Sequence, residues 1–167
     1  MNVMMQPKVD KVVLSAGATG PDLEKARKLL EMITGRKAQI IKAGPQRRIP
    51  EFGVKPGLEL GTRVSVRGKE AIELLKRLLG AIDNKLKVKQ IAPNHFSFGI
   101  KEYIEIPGME YIREIGIRGF NATIAFKRAG VRVKHKKTKS GRIPKRHNIT
   151  PKEIIQFMEN TFKTRFE

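Results

Sequence analysis

Arg63, Ser65 and Arg67 are the residues whose types and spacing best suit chemistry, and that chemistry is phosphate binding. They occupy alternate positions of residues 61–68, which read Gly-Thr-Arg-Val-Ser-Val-Arg-Gly. Guanidinium groups form bidentate hydrogen bonds with phosphate oxygens, and the hydroxyl between them can donate and accept. The pattern therefore predicts an anion-binding surface. The alternative is the solvated face of an ordinary sheet.

No comparable set of residues indicates catalysis or metal binding. The chain contains no cysteine, which excludes disulfides and thiolate metal sites. Of the three histidines, His135 and His147 lie in a strongly basic segment that would repel a metal ion. Glu102 and Glu105 are the one acidic pair on a predicted strand, and their odd spacing places them on opposite faces. We therefore expect no enzymatic activity, no metal and no cofactor.

The phosphate-binding residues need a strand to hold them, and the hydrophobic pattern predicts one. Thr62, Val64 and Val66 alternate with the polar set, so an extended strand places them on the opposite face. The same periodicities predict strands over residues 9–16, 38–42, 95–106 and 117–127, and helices over residues 21–34, 69–86 and 151–163. These elements indicate an α+β fold in which helices cover one face of a sheet and RNA meets the other.

The outward positions of the predicted strands share one chemical character. They carry hydroxyls, an amide and cations but no acid: Ser15, Arg63, Ser65, Arg67, Ser97, Lys101, Asn121, Thr123 and Lys127. The chain also has two Tyr and no Trp, so stacking of bases on exposed aromatics cannot dominate. This face suits the phosphates, sugars and 2′-hydroxyls of a folded RNA.

Length and charge support the same partner. The chain has 167 residues, which is enough for one domain with its own core, and its net charge is +19. Such a basic domain is typical of nucleic-acid binding, with a membrane surface as the competing partner. No apolar run is long enough for a membrane span, and no signal peptide is recognisable. We expect a single intracellular, soluble domain over residues 1–167.

The segment 127–147, called the basic arm below, carries the strongest charge. It contains no acid, and it holds Lys127, Arg128, Arg132, Lys134, Lys136, Lys137, Lys139, Arg142, Lys145 and Arg146. Such a block repels itself and is extended or disordered when free. Phosphate neutralisation with release of counterions would order it. A nuclear localisation signal is the alternative interpretation.

A second irregular segment, residues 43–60, is rich in Gly and Pro and has no steady period. Loops of this length inside a compact domain are usually functional or disordered. Arg47, Arg48 and Lys55 surround the apolar residues Ile49, Phe52 and Val54, which a disordered linker would not need. We expect a protruding arm that orders against a partner, with a mobile loop as the alternative.

Several runs of the sequence together resemble the archaeal branch of the ribosomal protein L5 family, the 5S-rRNA-binding proteins of the large subunit. These runs are Lys11-Val-Val-Leu-Ser-Ala-Gly, Leu29-Leu30…Ile33-Thr-Gly-Arg36, residues 61–68, Asn94-His-Phe-Ser-Phe-Gly-Ile-Lys-Glu-Tyr-Ile-Glu-Ile-Pro107, Ile115-Gly-Ile-Arg-Gly119 and Ile143-Pro-Lys-Arg-His147. They follow the family order over nearly the whole chain. Bacterial relatives carry extra N-terminal sequence and lack the basic arm.

The resemblance implies an antiparallel sheet with helices on one face and 5S rRNA on the other, in the central protuberance of the cytoplasmic ribosome. The family's RNA-contacting positions fall on Ser15, Arg36, Ser65 and Arg67, and the first three replace the commonest family residues Asn, Gln and Thr. With the cations of the sheet and arm, the candidate rRNA-binding set is Ser15, Arg36, Lys42, Arg63, Ser65, Arg67, Lys127, Arg132, Lys134, Lys136, Lys137, Arg142, Lys145 and Arg146.

The resemblance also implies further partners. Residues 43–60 match the family loop that reaches the P-site tRNA, and its candidate tRNA-binding residues are Gln46, Arg47, Arg48, Phe52 and Lys55. The large-subunit rRNA and neighbouring ribosomal proteins of the central protuberance complete the expected partners, and no membrane is among them.

Two rival functions remain: a DNA-binding architectural protein, and an RNA-processing enzyme, which would need a cluster of acids or histidines.

Overall fold

The computed structural model describes residues 2–46 and 48–167. In this part of the chain it contains eight strands and four α-helices. In chain order they are β1 Lys8–Gly17, α1 Pro21–Thr34, β2 Gln39–Lys42, β3 Glu59–Arg67, α2 Lys69–Gly80, β4 Lys85–Leu86, β5 Ile91–Ala92, β6 His95–Ile100, β7 Phe120–Lys127, α3 Arg132–His135, α4 Pro151–Phe162 and β8 Arg165–Phe166.

Six of the strands form one sheet in the order β2-β3-β1-β7-β6-β5. The pairs β2–β3 and β5–β6 are antiparallel, and Gln39 lies opposite Arg63 in the first of them. Strands β4 and β8 form a separate parallel pair that the sequence did not indicate. The α+β class with a mainly antiparallel sheet is confirmed.

The alternation that predicted β3 is confirmed residue by residue. Thr62, Val64 and Val66 are buried, with Thr62 completely inaccessible, whereas Arg63, Ser65 and Arg67 are exposed. The next two strands of the sheet follow the same rule, because the buried sets are Val12, Leu14 and Ala16 in β1 and Phe120, Ala122, Ile124 and Phe126 in β7. One face of each strand therefore contributes to the hydrophobic core.

Contacts between residues divide the chain into two compact units. The first unit comprises Met1–Val12, Arg67–Phe98 and Thr123–Glu167, and the second comprises Val13–Val66 and Gly99–Ala122. In the first unit, Phe126 of β7 contacts Phe157 of α4 with ring centroids 5.7 Å apart. In the second, α1 buries one apolar stripe. The single domain proposed from the sequence stays a prediction.

Helix α1 has the ends that the sequence indicated. Pro21 is its first residue, and Gly35 follows its end with a left-handed backbone whose N–H donates to the Glu31 carbonyl at 2.7 Å. Helix α4 begins at the predicted capping box, since the Thr150 side chain accepts from the Glu153 N–H and the Glu153 carboxylate accepts from the Thr150 N–H.

The prediction for the second helix was wrong. We expected it to continue to about residue 86, but α2 ends at Gly80. Asp83 and Asn84 take left-handed conformations that stop it, and Leu86 is buried in β4 instead. The buried stripe of α2 is Ala71, Leu74, Leu75, Leu78 and Leu79, whereas Ile72 is 40% exposed.

The two long strands predicted in the second half were also too long. β6 ends at Ile100 and not at residue 106, because the chain turns through a 3₁₀ helix at Tyr103–Glu105. The buried Tyr103 holds this turn in place by accepting a hydrogen bond from the Ile112 N–H at 2.8 Å. β7 begins at Phe120, and Ile117, which we placed on it, is 63% exposed.

Among the described residues, no helix has the length and apolar character required to cross a membrane. The same part of the chain contains no cluster of three or more histidine and acidic side chains that could hold a metal ion.

Candidate nucleic-acid interface

In the second unit, the exposed residues of β3 stand beside those of β2. Arg63 lies opposite Gln39, and the Arg63 Nε donates to the Gln39 side-chain oxygen at 3.1 Å. This bond uses one donor of the guanidinium and fixes its plane, so the remaining donors can reach an anion. Ser65 lies two residues further along the same exposed row. Strand β3 thus presents the oriented Arg63 guanidinium and the Ser65 hydroxyl side by side.

A shallow depression of the second unit contains Ser15. It is lined by Ser15, Ala16, Gly17, Gly99, Ile100, Lys101, Gly119, Phe120 and Asn121. Two glycines are required by close backbone approach. A Cβ on Gly61 would lie 2.7 Å from the Ala16 carbonyl oxygen, and one on Gly119 would lie 2.6 Å from that of Lys101. The Ser15 hydroxyl and the Asn121 amide in its lining suit sugar and base-edge contacts.

The other two candidates in this unit have neighbours of their own. Lys42 forms an ion pair with Glu59 at 3.2 Å, in which both side chains are well exposed. Such a pair is worth at most about 1 kcal/mol, so a phosphate can displace the glutamate. Arg36 is exposed between α1 and β2, and its backbone N–H donates to the Thr34 hydroxyl at 3.3 Å.

In the first unit, the candidate cations Arg67, Lys127 and Arg132 line one cavity of about 700 Å³. Lys11 and His135 line it as well. The sequence analysis missed Asp10, which belongs to this cavity and holds the Lys127 Nζ at 2.7 Å. The cavity therefore combines several cations with one carboxylate. The cations suit a phosphate, and the carboxylate can accept a hydrogen bond from a donor group of the same ligand.

A neighbouring depression of about 490 Å³ collects further residues of the basic arm. Lys134 and Arg142 line it, together with Asp10, Lys127 and Arg128. The remaining candidate cations of the arm, Lys136, Lys137, Lys145 and Arg146, are exposed and line neither cavity. The arm therefore divides into cations grouped around the cavities and cations that extend into solvent.

The basic arm is not extended throughout. It contains the short helix α3 and a 3₁₀ turn at Lys145–His147. Arg128, which the sequence analysis listed among the cations of the arm but not among the candidate rRNA-binding residues, is 4% exposed. Its Nη2 donates to both carboxylate oxygens of Glu153, at 2.6 and 2.7 Å. Nothing in the local pattern distinguishes Arg128 from its neighbours, because its partner lies 25 residues away.

The Glu153 carboxylate accepts hydrogen bonds from both Arg128 and Thr150 in the first unit. Burial alone would raise its pKa, but hydrogen bonds from the Thr150 backbone and hydroxyl and from Arg128 outweigh burial and hold that pKa below its ordinary value. The Thr150 N–H and hydroxyl donate to it at 2.8 and 2.9 Å. Glu153 therefore stays ionised near neutral pH, and it links the start of α4 to the start of the arm.

The described residues of this segment, 43–46 and 48–60, form a hairpin-like loop. Ala43 N–H donates to Leu58 O at 2.7 Å at its base, and Ile49 and Val54 form an antiparallel bridge near its tip. Phe52, between the bridged residues, is 79% exposed. Gln46, Arg48 and Lys55 are also exposed. The remaining tRNA-binding candidate, Arg47, lies outside the described residues.

The comparisons with known proteins agree along the whole sequence. Residues 59–157 match the C-terminal model of the ribosomal L5 protein family, and residues 2–55 match ribosomal protein L5. The large ribosomal subunit protein uL5 of Nanoarchaeum equitans is 36% identical over 159 residues, which cover 93% of each chain. That of Sulfolobus acidocaldarius is 38% identical over 164 residues, which cover 96% of this chain and 91% of its own.

This chain belongs to the ribosomal protein L5 family. It is a structural constituent of the large ribosomal subunit, resides with rRNA and other proteins in the cytoplasmic ribosome, and is not an enzyme. The similarity to archaeal relatives confirms the branch that the sequence motifs indicated. Two surfaces of this L5 protein are candidates for contact with rRNA. One is the exposed row of β3 in the second unit, and the other is formed by the cavities and exposed cations of the basic arm in the first unit.

Proposed function

We propose that this L5 protein binds 5S rRNA and helps to attach it to the large-subunit rRNA in the central protuberance. The observation that carries the proposal is the strict division of β3, in which Thr62, Val64 and Val66 enter the core while Arg63, Ser65 and Arg67 face outward. A rigid strand presents these groups at fixed spacing, which favours recognition of a folded RNA by shape.

The cations of the basic arm supply the sequence-independent part of the affinity. Arg132, Lys134 and Arg142 line cavities of the first unit, and their charges attract phosphates and release counterions on binding. The arm carries ten of the chain's Lys and Arg residues and no acid. We assign its exposed cations to 5S rRNA and to neighbouring segments of the larger rRNA.

The loop of residues 43–60 takes a separate partner in this proposal, the P-site tRNA. Its tip combines the exposed ring of Phe52 with the cations Arg48 and Lys55. A ring can stack on a base or sugar, while the cations contact phosphate. The hydrogen bonds at the base and the bridge near the tip keep this group in a defined conformation.

The rRNA proposal is tested by titrating the protein with 5S rRNA in the presence of excess tRNA and duplex DNA. We expect binding that survives both competitors, and an Arg67→Glu variant with affinity lowered by about tenfold or more. Arg77→Glu is the matched control, because Arg77 is exposed on α2 and the charge change is identical. Equal loss to any polyanion, or full affinity in a folded Arg67→Glu variant, would overturn the proposal.

The tRNA contact is tested in assembled ribosomes. A Phe52→Ala variant should assemble normally, since an exposed side chain contributes within about 0.5 kcal/mol to stability. It should lower P-site tRNA affinity by about fivefold or more through the loss of a stacking contact of about 1–3 kcal/mol. Ile117→Ala is the control, because Ile117 is an exposed apolar residue of the same unit outside the loop. Unchanged tRNA affinity in the Phe52 variant would refute the contact.

A further inference from the structure

The two ends of the basic arm are attached to the body of the first unit by separate contacts. At the start, Arg128 directs its donors inward, with Nη2 on Glu153 and Nη1 3.5 Å from the Met5 sulfur. At the end, Asn94 forms two bonds with Ile149: its side-chain oxygen accepts from the Ile149 N–H at 2.8 Å, and its backbone N–H donates to the Ile149 carbonyl at 3.2 Å. Asn94 therefore fixes the end of the arm, although it lies 55 residues from Ile149 in the sequence.

Further bonds connect the two halves of the arm to each other. The His147 Nε2 lies 3.0 Å from the Ala129 carbonyl oxygen, next to the buried Arg128. Farther out, the Gly141 N–H donates to the Val133 carbonyl at 3.1 Å. A Cβ on Gly141 would lie 2.8 Å from the Val133 Cγ1, so Val133 would have to shift to admit a side chain at residue 141. The basic arm is therefore a loop whose two halves are joined by hydrogen bonds at two positions along its length.

We infer that Arg128 and Glu153 are a positioning pair, which closes the basic arm into a preformed RNA-binding loop, and that Arg128 makes no contact with RNA phosphate. The inference rests on the proposed function and deepens it. Like-charged side chains resist being gathered into one loop. The ion pair of the buried Arg128 at the start of the arm opposes this repulsion, as does the Asp10 carboxylate beside Lys127.

The pair also separates two kinds of cation within one basic segment. Arg128 is 4% exposed and its guanidinium is paired with the Glu153 carboxylate, so a phosphate could replace Glu153 only by breaking this ion pair. Both arginines line the cavity of about 700 Å³, but Arg132 is exposed to solvent. Only cations of the second kind release counterions when RNA binds, so only they contribute to the salt dependence of the affinity.

The test compares three variants in 5S rRNA titrations over a range of salt concentrations. Glu153→Gln keeps a side-chain oxygen for the Thr150 N–H but removes the charge that holds Arg128. Arg128→Gln removes the guanidinium itself, and Arg132→Gln is the control for a direct phosphate contact. Peptide-level hydrogen exchange over residues 129–149 of the RNA-free protein reports closure of the arm in each variant.

Glu153→Gln and Arg128→Gln should lower the affinity by roughly tenfold at every salt concentration, because the arm must then be ordered during binding. The slope of log affinity against log salt should stay unchanged, and exchange over residues 129–149 should accelerate. Arg132→Gln should reduce that slope by about 0.7–0.9 and leave the exchange unaltered.

Two results would overturn the inference: a slope for Arg128→Gln reduced as much as that for Arg132→Gln, or unchanged exchange and affinity in Glu153→Gln. If either variant fails to fold, Arg128→Lys decides, since it keeps the charge but not the fork and should accelerate exchange in a folded protein. If the unmodified protein shows no preference for 5S rRNA, the proposed function fails, whereas the exchange measurement still decides the positioning pair.

Discussion

The exposed row of β3 and the basic arm are both rich in cations, but different forces position them. Arg63 and Ser65 point outward because their strand alternates, and Val64 between them is held in the core. The cations of the arm have no such periodicity. They are placed by contacts with residues distant in sequence, such as Glu153 and Asn94.

This difference separates a surface encoded locally from one encoded by tertiary structure. A strand face survives as long as the strand is paired, and a change at one of its residues alters the others only through direct contacts such as Arg63–Gln39. The conformation of the arm depends on a few contacts, such as Arg128–Glu153 and Asn94–Ile149. Loss of one of them changes the positions of all the cations of the arm together. Mutations should therefore act on the strand face in proportion to the groups removed, and on the arm cooperatively.

The largest effect should come from breaking the strand face at its backbone. Gly61→Ala puts a Cβ 2.7 Å from the Ala16 carbonyl oxygen on the neighbouring strand. Main-chain atoms cannot retreat cheaply, so we expect a loss of about 3 kcal/mol in the free energy of unfolding. Urea denaturation measures it.

Gly17→Ala is the matched control for Gly61→Ala. A Cβ there meets nothing within 4 Å, and its backbone is not left-handed. The variant should be as stable as the unmodified protein or up to about 1 kcal/mol more stable, because alanine restricts the unfolded chain. Equal destabilisation by the two substitutions would show that glycine is not needed for close approach at residue 61.

The strand face was predictable because its determinants are neighbours in sequence. Alternation identified the exposed and buried residues of β3 correctly, and the Thr150–Glu153 capping box marked the start of α4. The same local rules extended α2 and β6 too far. At those places the stop signals are left-handed Asp83 and Asn84 and the turn around buried Tyr103, which periodicity does not register.

The arm was predictable in charge but not in structure. Counting cations predicted that it binds RNA, but that count included the buried Arg128 among the charges of the arm and overlooked Asp10. The pairs Arg128–Glu153 and Lys127–Asp10 join residues 25 and 117 positions apart. Pairings at such separations depend on how the strands and helices pack, which a single sequence does not display.

An intermediate effect should come from removing the anchor of the arm. Glu153→Gln should cost about 2 kcal/mol near neutral pH, less than a fully buried pair because the Glu153 side chain is 38% exposed. Since the folded-state pKa is lowered, the ionised carboxylate stabilises the fold above its ordinary pKa. That contribution is lost as the pH falls from there through the lowered value. Denaturation at several pH values should show the two proteins converging in acid.

Glu31 in the second unit provides the comparison for this pH dependence. Its pKa is also lowered, first by the Ala38 backbone N–H and then by Arg27. The Arg27 pair is more exposed, so Glu31→Gln should cost less than about 1 kcal/mol. A larger loss for Glu31→Gln than for Glu153→Gln would contradict the anchoring role given to Glu153.

The smallest effect should come from the strand face itself, through a residue that orients and does not bind. Gln39→Ala removes the acceptor of the Arg63 Nε without changing any charge. We expect 5S rRNA affinity to fall by about two- to threefold, because a freed guanidinium loses rotamer entropy on binding. The salt slope should not change, and hydrogen exchange in residues 129–149 should be unaffected. If this substitution opened the arm or altered the slope, the strand face would not be locally encoded, and the contrast between the two regions would fail.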